Sequence, residues 1–413
     1  MNVIAAPVAS RLRPRQALGL AIGAGIALRL IVIAAGGPPE RFEYDDLARN
    51  LIAGRGYVYE QLGTPYRSFY AGLGYMAINS AVDWSFPSQA KAMLVAQSLY
   101  AGVLAVIIFQ IARRFFGDWP AVGATALVLC HPGLLYYDTR KLHPLGFDAL
   151  MITAAVWLLL RLAEPRTLGV VATSGAVLGL AIFQRGSMAA FLLGAVAWIV
   201  LTTRPRGRAW IVAATYLAGS LLVVGSWAAR NYAIHGMVLL ESMTPQQFWK
   251  GNATYSNGSG YLAGGENVYD AAPESLVRDW RRGTETDHIR LFRDEGLAEV
   301  NKDPARAVAL DVKKFVYFWT FPPNSGQQYP ARYFAAYLAY YAVVLLAAAS
   351  GLMVAWRQPA LRSAAALVVI LFLSVSVVHA LMFIEMRHRW GIEPLMLAFV
   401  PAGARAIWTR WRQ

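Results

Sequence analysis

Cysteine is almost missing: Cys130 is the only one in 413 residues. No disulfide can form within the chain, and chelation of a metal by several thiols is excluded. Histidine is scarce as well, with six copies. No His or Cys cluster has metal-ligand spacing, and "RHRW" at 387–390 offers one His only. Charge is thin, at 15% of residues, against about 25% in an ordinary soluble chain. Hydrophobic residues take up 57% instead, and many runs approach the roughly 20 residues that cross a bilayer. The composition describes an all-α polytopic membrane protein. The formal charge of +14 does not point to nucleic acid. Most Arg and Lys sit in short clusters between apolar runs, where the positive-inside rule accounts for them.

Ten spans are expected, at about 17–36, 91–112, 119–136, 144–162, 167–183, 188–203, 209–228, 333–356, 361–383 and 392–409. Basic residues mark every other connection: Arg11, Arg13 and Arg15; Arg113 and Arg114; Arg161 and Arg166; Arg204, Arg206 and Arg208; Arg357 and Arg362; Arg410 and Arg412. All fall on one side if there are ten spans, and that side is cytoplasmic. Both termini are then inside, and "MNVIAAPVASRLRPRQ" reads as a cytoplasmic tail before an uncleaved helix. The expected organisation is a membrane module over 1–228 with a first outer loop at 37–90, an outer domain at 229–332, and closing spans in 333–413. The Gly-rich stretch Ser68–Val82 reads as an interfacial or re-entrant helix.

Carboxylates gather where the chain leaves its first span: Glu40, Glu43, Asp45 and Asp46 within seven positions. "YDDLARNLIAG" reads as a surface helix with Tyr44, Leu47, Leu51 and Ile52 on one face and a glycine stop at Gly54. Acids in its first turn are favoured by the helix dipole, which suffices for solvated ones. Glu40, Glu43 and Asp46 share helical spacing, so they are candidates to face one cavity, where a carboxylate serves as general base. A divalent cation is not required; one held there would be oxygen-ligated. Seven cations stand near outer ends of spans, against the positive-inside pattern: Arg67, Arg140, Lys141, Arg185, Arg230, Arg387 and Arg389. Ion pairs with Glu43, Asp138, Glu385 or Glu393 account for any one of them. As a group they read as a binding site for one anion, since Arg grips phosphate in a bidentate fork.

Four stretches carry a resemblance. "EYDDLARNLIAGRGYVY" followed by "TPYRSFYAGLGYMAI" resembles the first outer loop of GT-C glycosyltransferases, nearest to bacterial enzymes similar to protein mannosyltransferases and to the lipid A aminoarabinose transferase. "HPGLLYYDTRKLHPLGFDAL", "GSWAARNYAIHGMVLLESMTPQQFWKGN" and "MRHRWGIEPLMLAF" resemble later family segments, in order. The resemblance implies a GT-C bundle of about ten transmembrane helices with two juxtamembrane helices and an outer, periplasmic domain. It implies transfer of a hexose or pentose from a polyprenyl-phosphate donor to an extracytoplasmic glycolipid, polysaccharide or protein. It implies a base in the first outer loop, with Glu40 in register and Glu43 and Asp46 as alternatives. Arg67, Arg185, Arg230, Arg387 and Arg389 match basic positions that hold the carrier phosphate. The chain departs from the family at Arg41, where many members have a second acid, and at His143, where an acid is common. The expected location is the inner (plasma) membrane of the cell envelope. The rival readings are an O-antigen ligase or polymerase and a transporter. Transport is disfavoured because the spans carry almost no charge near mid-membrane.

Overall fold

A computed structural model describes residues 12–69, 72–87, 89–162, 167–262, 264–322 and 331–412. Arg11 and Arg166 of the basic clusters lie outside them. The helices are, in chain order, α1 (Pro14–Ala35), α2 (Glu43–Ile52), α3 (Leu73–Ser85), α4 (Ala90–Phe116), α5 (Asp118–Leu129), α6 (Pro132–Arg140), α7 (Leu145–Leu162), α8 (Leu168–Gln184), α9 (Ala189–Thr202) and α10 (Arg206–His235). They continue with α11 (Thr244–Asn252), α12 (Glu274–Arg282), α13 (Glu285–Lys302), α14 (Pro304–Trp319), α15 (Ala331–Arg357), α16 (Pro359–Leu381), α17 (Met386–Trp390), α18 (Glu393–Leu397) and α19 (Val400–Trp411).

All ten expected spans are helical, but they are not alike. Six are single helices long and apolar enough to cross a membrane: α1, α4, α7, α10, α15 and α16. Two, α8 and the segment 186–202, are apolar but shorter. The span expected at 119–136 is broken between α5 and α6, because Pro132 has no N–H to continue the ladder. The turn tightens there, with the His131 N–H donating to the Val128 carbonyl at 3.2 Å, and the His131 ring caps α6 by accepting from the Leu134 N–H at 3.1 Å. The span expected at 392–409 is likewise divided into α18 and α19, each with a proline in its first turn. The backbone stays helical across the division, at φ −59° and ψ −25° for Ala398.

Small residues let helices close on one another. A Cβ at Gly403 of α19 would stand 1.8 Å from the Ala347 carbonyl oxygen of α15, and one at Gly175 of α8 would stand 2.0 Å from that of Tyr216 on α10. These are the backbone approaches that small residues permit between membrane helices.

The first outer loop contains α2, α3 and, between them, a β-hairpin absent from the all-α expectation. Its strands are β1 (Tyr59–Gln61) and β2 (Thr64–Tyr66), antiparallel, with Tyr59 opposite Tyr66. Leu62 and Gly63 make the two-residue loop, both at positive φ, as the twist of a tight hairpin requires. The hairpin docks onto the later helices: the Thr64 hydroxyl donates to the Gly283 carbonyl at 3.1 Å, and Tyr66 meets the His288 ring. Helices α11–α13 close around Trp249, Leu276, Trp280 and Phe292. Helix α14 packs back on α16 and sends Phe318 into the main core.

That core holds a fully buried polar network. The Glu393 carboxylate accepts from His131 Nε2 at 2.6 Å, from Arg389 Nε at 2.7 Å and from the Tyr337 hydroxyl at 2.7 Å. Because His131 Nδ1 is an acceptor, its proton sits on Nε2 and points at Glu393. Arg389 Nη1 also donates to the Phe318 and Thr320 carbonyls at 2.6 and 2.8 Å, and the guanidinium stacks 3.6 Å from the Tyr341 ring centre. Arg389→Ala strands Glu393 in the core and is expected to lower stability by about 3–5 kcal/mol. Arg387→Ala, on a partly exposed pair, is expected to lower it by about 1 kcal/mol or less. Denaturant unfolding in detergent measures both, and similar losses for the two variants would remove the network from its structural role.

Candidate functional site

A cavity of about 560 Å³ opens where α2, the ends of α7, α8 and α16, the loop after α10, and helices α11, α13 and α17 meet. Its wall takes Glu43 and Tyr44 from α2, His143 and Asp148 around the start of α7, Gln184 and Arg185 at the end of α8, and Leu239–Glu241 just past α10. His379 near the end of α16, and Arg387 and His388 on α17, complete it. Helices α7, α10 and α16 turn one end toward the cavity and carry Arg161, Arg206 and Arg362 at the other. The cavity therefore lies at the ends opposite the basic clusters.

Of the sequence candidates, Glu43, Arg185 and Arg387 come together here. Glu43 is the first residue of α2, preceded by an extended Phe42. Burial raises its pKa above the usual 4.5, and the nearby Arg387 pulls the other way. Arg185 Nη1 is held by Asp148 Oδ2 at 3.2 Å, and Arg387 Nε by Glu385 Oε2 at 2.6 Å. His143 and His388 are held neutral well below their ordinary pKa, first by burial and then by the surrounding Arg185 and Arg387. An anionic group placed among them would reverse that second influence.

The helical spacing read across Glu40, Glu43 and Asp46 holds for Glu43 and Asp46 in the first turn of α2 but not for Glu40. The chain enters α2 only at Glu43, and Glu40 forms a parallel bridge with Lys141: its N–H donates to the Arg140 carbonyl, and its own carbonyl accepts from the Leu142 N–H, both at 2.9 Å. The Glu40 carboxylate, 55% exposed, pairs with Lys141 Nζ at 3.0 Å. Asp46 is equally exposed and pairs with Arg49 at 3.1 Å. Asp45 is the buried acid of the segment, gripped by Arg41 at 2.5 Å and Arg49 at 2.6 Å. The three candidate bases thus do not converge, and among the described residues no group of three or more His, Cys, Asp or Glu side chains is placed to share a metal.

The arginines divide as well. Arg389 is 1% exposed, within the Glu393 network. Arg230 lies against the Trp227 ring, 4.2 Å from its centre, and Nη1 donates to the Arg67 carbonyl at 2.7 Å. The Arg67 and Ser68 N–H groups donate to the Glu285 carboxylate at 2.6 and 2.9 Å. Arg67 and Arg230 therefore sit at the joint between hairpin, α10 and α13, outside the cavity wall. Glu241, which the sequence reading passed over, is on the wall. No spacing rule singles it out; its only signal is an acid in the apolar run "MVLLESM".

Residues 86–228, which run from α4 through most of α10, match the family model described as dolichyl-phosphate-mannose-protein mannosyltransferase. Among solved structures, the oligosaccharyltransferase AglB of Archaeoglobus fulgidus, in complex with an inhibitory peptide and a dolichol-phosphate, aligns with TM-score 0.56 and 12% identity over 96% of this chain and 50% of that one. The chain has the GT-C fold. It spans half the length of AglB. ArnT of Cupriavidus metallidurans bound to undecaprenyl phosphate aligns with TM-score 0.47 and 16% identity over 92% of this chain and 77% of that one. The same protein in the apo state aligns with TM-score 0.41 and 15% identity, over 90% and 77%. No curated protein matches the chain in sequence.

The raised pKa of Glu43 has a consequence for stability. A carboxyl whose pKa is higher folded than unfolded contributes stability below the unfolded value near 4.5, and loses it as pH rises through the folded value. Glu43→Gln is therefore expected to melt at a higher temperature than the parent at pH 8, with the gap closing toward pH 4. A gap that widens on acidification would mean the carboxylate is the form the fold favours.

Proposed function

We propose that the chain is an integral membrane glycosyltransferase that moves a hexosyl or pentosyl group from a polyprenyl-phosphate carrier to an extracytoplasmic acceptor. The observation that carries this is one cavity, at the helix ends opposite the basic clusters, lined by Glu43 as well as by Arg185 and Arg387. The GT-C fold and the mannosyltransferase family match over 86–228 support the same reading.

The chemistry follows from the wall. An acceptor hydroxyl or amine attacks the anomeric carbon, the bond from that carbon to the phosphate oxygen breaks, and its electron pair leaves with the phosphate. Glu43 takes the proton lost by the acceptor. A pKa raised toward the working pH suits a base, since the carboxylate is present yet binds a proton well. Arg185 and Arg387 offset the charge growing on the departing phosphate; Asp148 and Glu385 hold them in place beforehand, so little reorganisation is needed at the moment of reaction. A single displacement inverts the anomeric configuration.

Purified protein with labelled undecaprenyl-phosphate sugars, scored for release of undecaprenyl phosphate, tests the reading. Glu43→Gln is expected to slow turnover by about 10²–10⁴ while still binding carrier, and Arg387→Ala to weaken carrier binding. Glu40→Gln and Asp46→Asn are expected to stay near the parent rate. Undiminished turnover in Glu43→Gln would assign the base elsewhere.

The same reading places the protein in the inner membrane with both termini cytoplasmic and 229–332 outside, because the basic clusters face the cytoplasm. On a Cys130→Ser background, a cysteine at exposed Ser275 is expected to react with an impermeant thiol reagent in intact cells, and one at exposed Arg206 only after lysis. The opposite pattern would put the cavity on the wrong face for an extracytoplasmic acceptor.

A further inference from the structure

The chemistry above leaves one carboxyl of the cavity without a task. Glu241 lies between α10 and α11, on a loop that starts at Gly236, which is left-handed at φ +68°. The loop is fastened along its length. Trp227 Nε1 donates to the Leu240 carbonyl at 2.9 Å, and Asn231 Nδ2 to the Leu239 carbonyl at 3.0 Å. On the far side, the Ser242 N–H and hydroxyl donate to the Ser68 carbonyl at 2.7 and 3.0 Å. Glu241 is thus presented to the cavity by a fixed backbone, beside Leu239, Leu240, Thr244 and Gln247.

Its one recorded side-chain partner among the described residues is Thr244, whose hydroxyl donates to Oε1 at 2.7 Å. Burial pushes its pKa up to about 7, against the opposing pull of the Thr244 hydrogen bond. The charge of Arg387 is felt at Glu43, His143 and His388, and that of Arg185 at both histidines. Arg185 is tied to Asp148 and Arg387 to Glu385, whereas Glu241 is tied to Thr244 at the start of α11, so the acid and the two arginines are held by different elements of the wall. The carboxyl is partly exposed on the wall beside Leu239 and Leu240, with the Thr244 hydroxyl on Oε1, and it keeps acceptor capacity toward the cavity. A carboxyl above an apolar wall suits a sugar ring, whose C–H face packs on leucine while its hydroxyls bond the carboxyl.

We propose that Glu241 is a positioning residue that hydrogen-bonds a sugar hydroxyl, in a subsite of the cavity distinct from the carrier-phosphate site. This rests on the function proposed above and names its sugar-recognition element. The hydroxyl belongs either to the sugar of the donor or to a sugar acceptor, and binding measurements separate the two. The probes are undecaprenyl phosphate alone, a panel of undecaprenyl-phosphate hexoses and pentoses, and the acceptor's KM in turnover. Glu241→Leu is expected to hold bare undecaprenyl phosphate as the parent does and to keep or raise the melting temperature. It is expected to bind the sugar-bearing donor about tenfold or more weakly, or to raise the acceptor KM by as much, because a site built around a hydroxyl loses its discrimination when the bond is removed. A weaker loaded donor assigns the subsite to the donor sugar; a changed KM alone assigns it to the acceptor. Glu241→Gln, which can still donate and accept, is expected to recover most of the loss. Unchanged affinities in Glu241→Leu overturn the proposal. So does a lower melting temperature with equally weakened bare-carrier binding, since Glu241 would then be only a brace for the start of α11. Parent protein that fails to bind bare undecaprenyl phosphate would overturn the transferase reading itself, a separate result.

Discussion

One fully buried carboxylate fixes the cationic side of the cavity. Glu393 is fully buried and would be expensive to leave charged, yet it receives hydrogen bonds from His131, Arg389 and Tyr337. Such a group is tolerated only when its partners are all in place, and removing any one leaves the others uncompensated. The partners come from the break between α5 and α6, from α17 and from α15. Arg389 also ties the end of α14 through two carbonyls. Arg387 and His388 are two and one residues before Arg389, so the cationic side of the cavity inherits its rigidity. The proline that breaks α5 from α6 is what frees the His131 ring to cap one helix and bond Glu393 at once.

Residues of one type are sorted here by their surroundings. Asp45 and Asp46 are adjacent, yet the first is locked between two arginines in the interior and the second is solvated beside Arg49. Glu43, in the same first turn, is partly buried with no ion pair among the described residues as close as those of Asp45, and its pKa moves up. Arg387 and Arg389 differ in the same way: a short α17 points one into the cavity and the other into the core.

The span pattern was legible in the sequence because bilayer crossing imposes a length and a hydropathy that local composition displays. The break at Pro132 was equally written there, as a missing donor, but whether a proline ends a membrane helix depends on which neighbours take up the freed groups. The hairpin at 59–66 was hidden because its two strands have three residues each, and its turn uses Leu62 at a φ most residues avoid. Glu40 looked like part of a helix by spacing alone, whereas its backbone is claimed by Arg140 and Leu142, a hundred residues on. Arg389 looked like a ligand-binding cation because its pairing with Glu393, His131 and Tyr337 is tertiary. Glu241 had no pattern to reveal it, since its meaning comes from what surrounds it.

The cavity wall draws on residues from Glu43 to His388 of a 413-residue chain. A ribosome delivers those pieces in order, so the acid of α2 enters the membrane region long before α16 and α17 exist. Until they arrive, Glu43, Asp148 and Arg185 have no opposing face, and the Glu393 anchor that would fix one has not been synthesised. The pocket is therefore among the last features of the molecule to form during biogenesis. A nascent chain can be fully inserted through α10 and still lack the α16 and α17 side of the cavity.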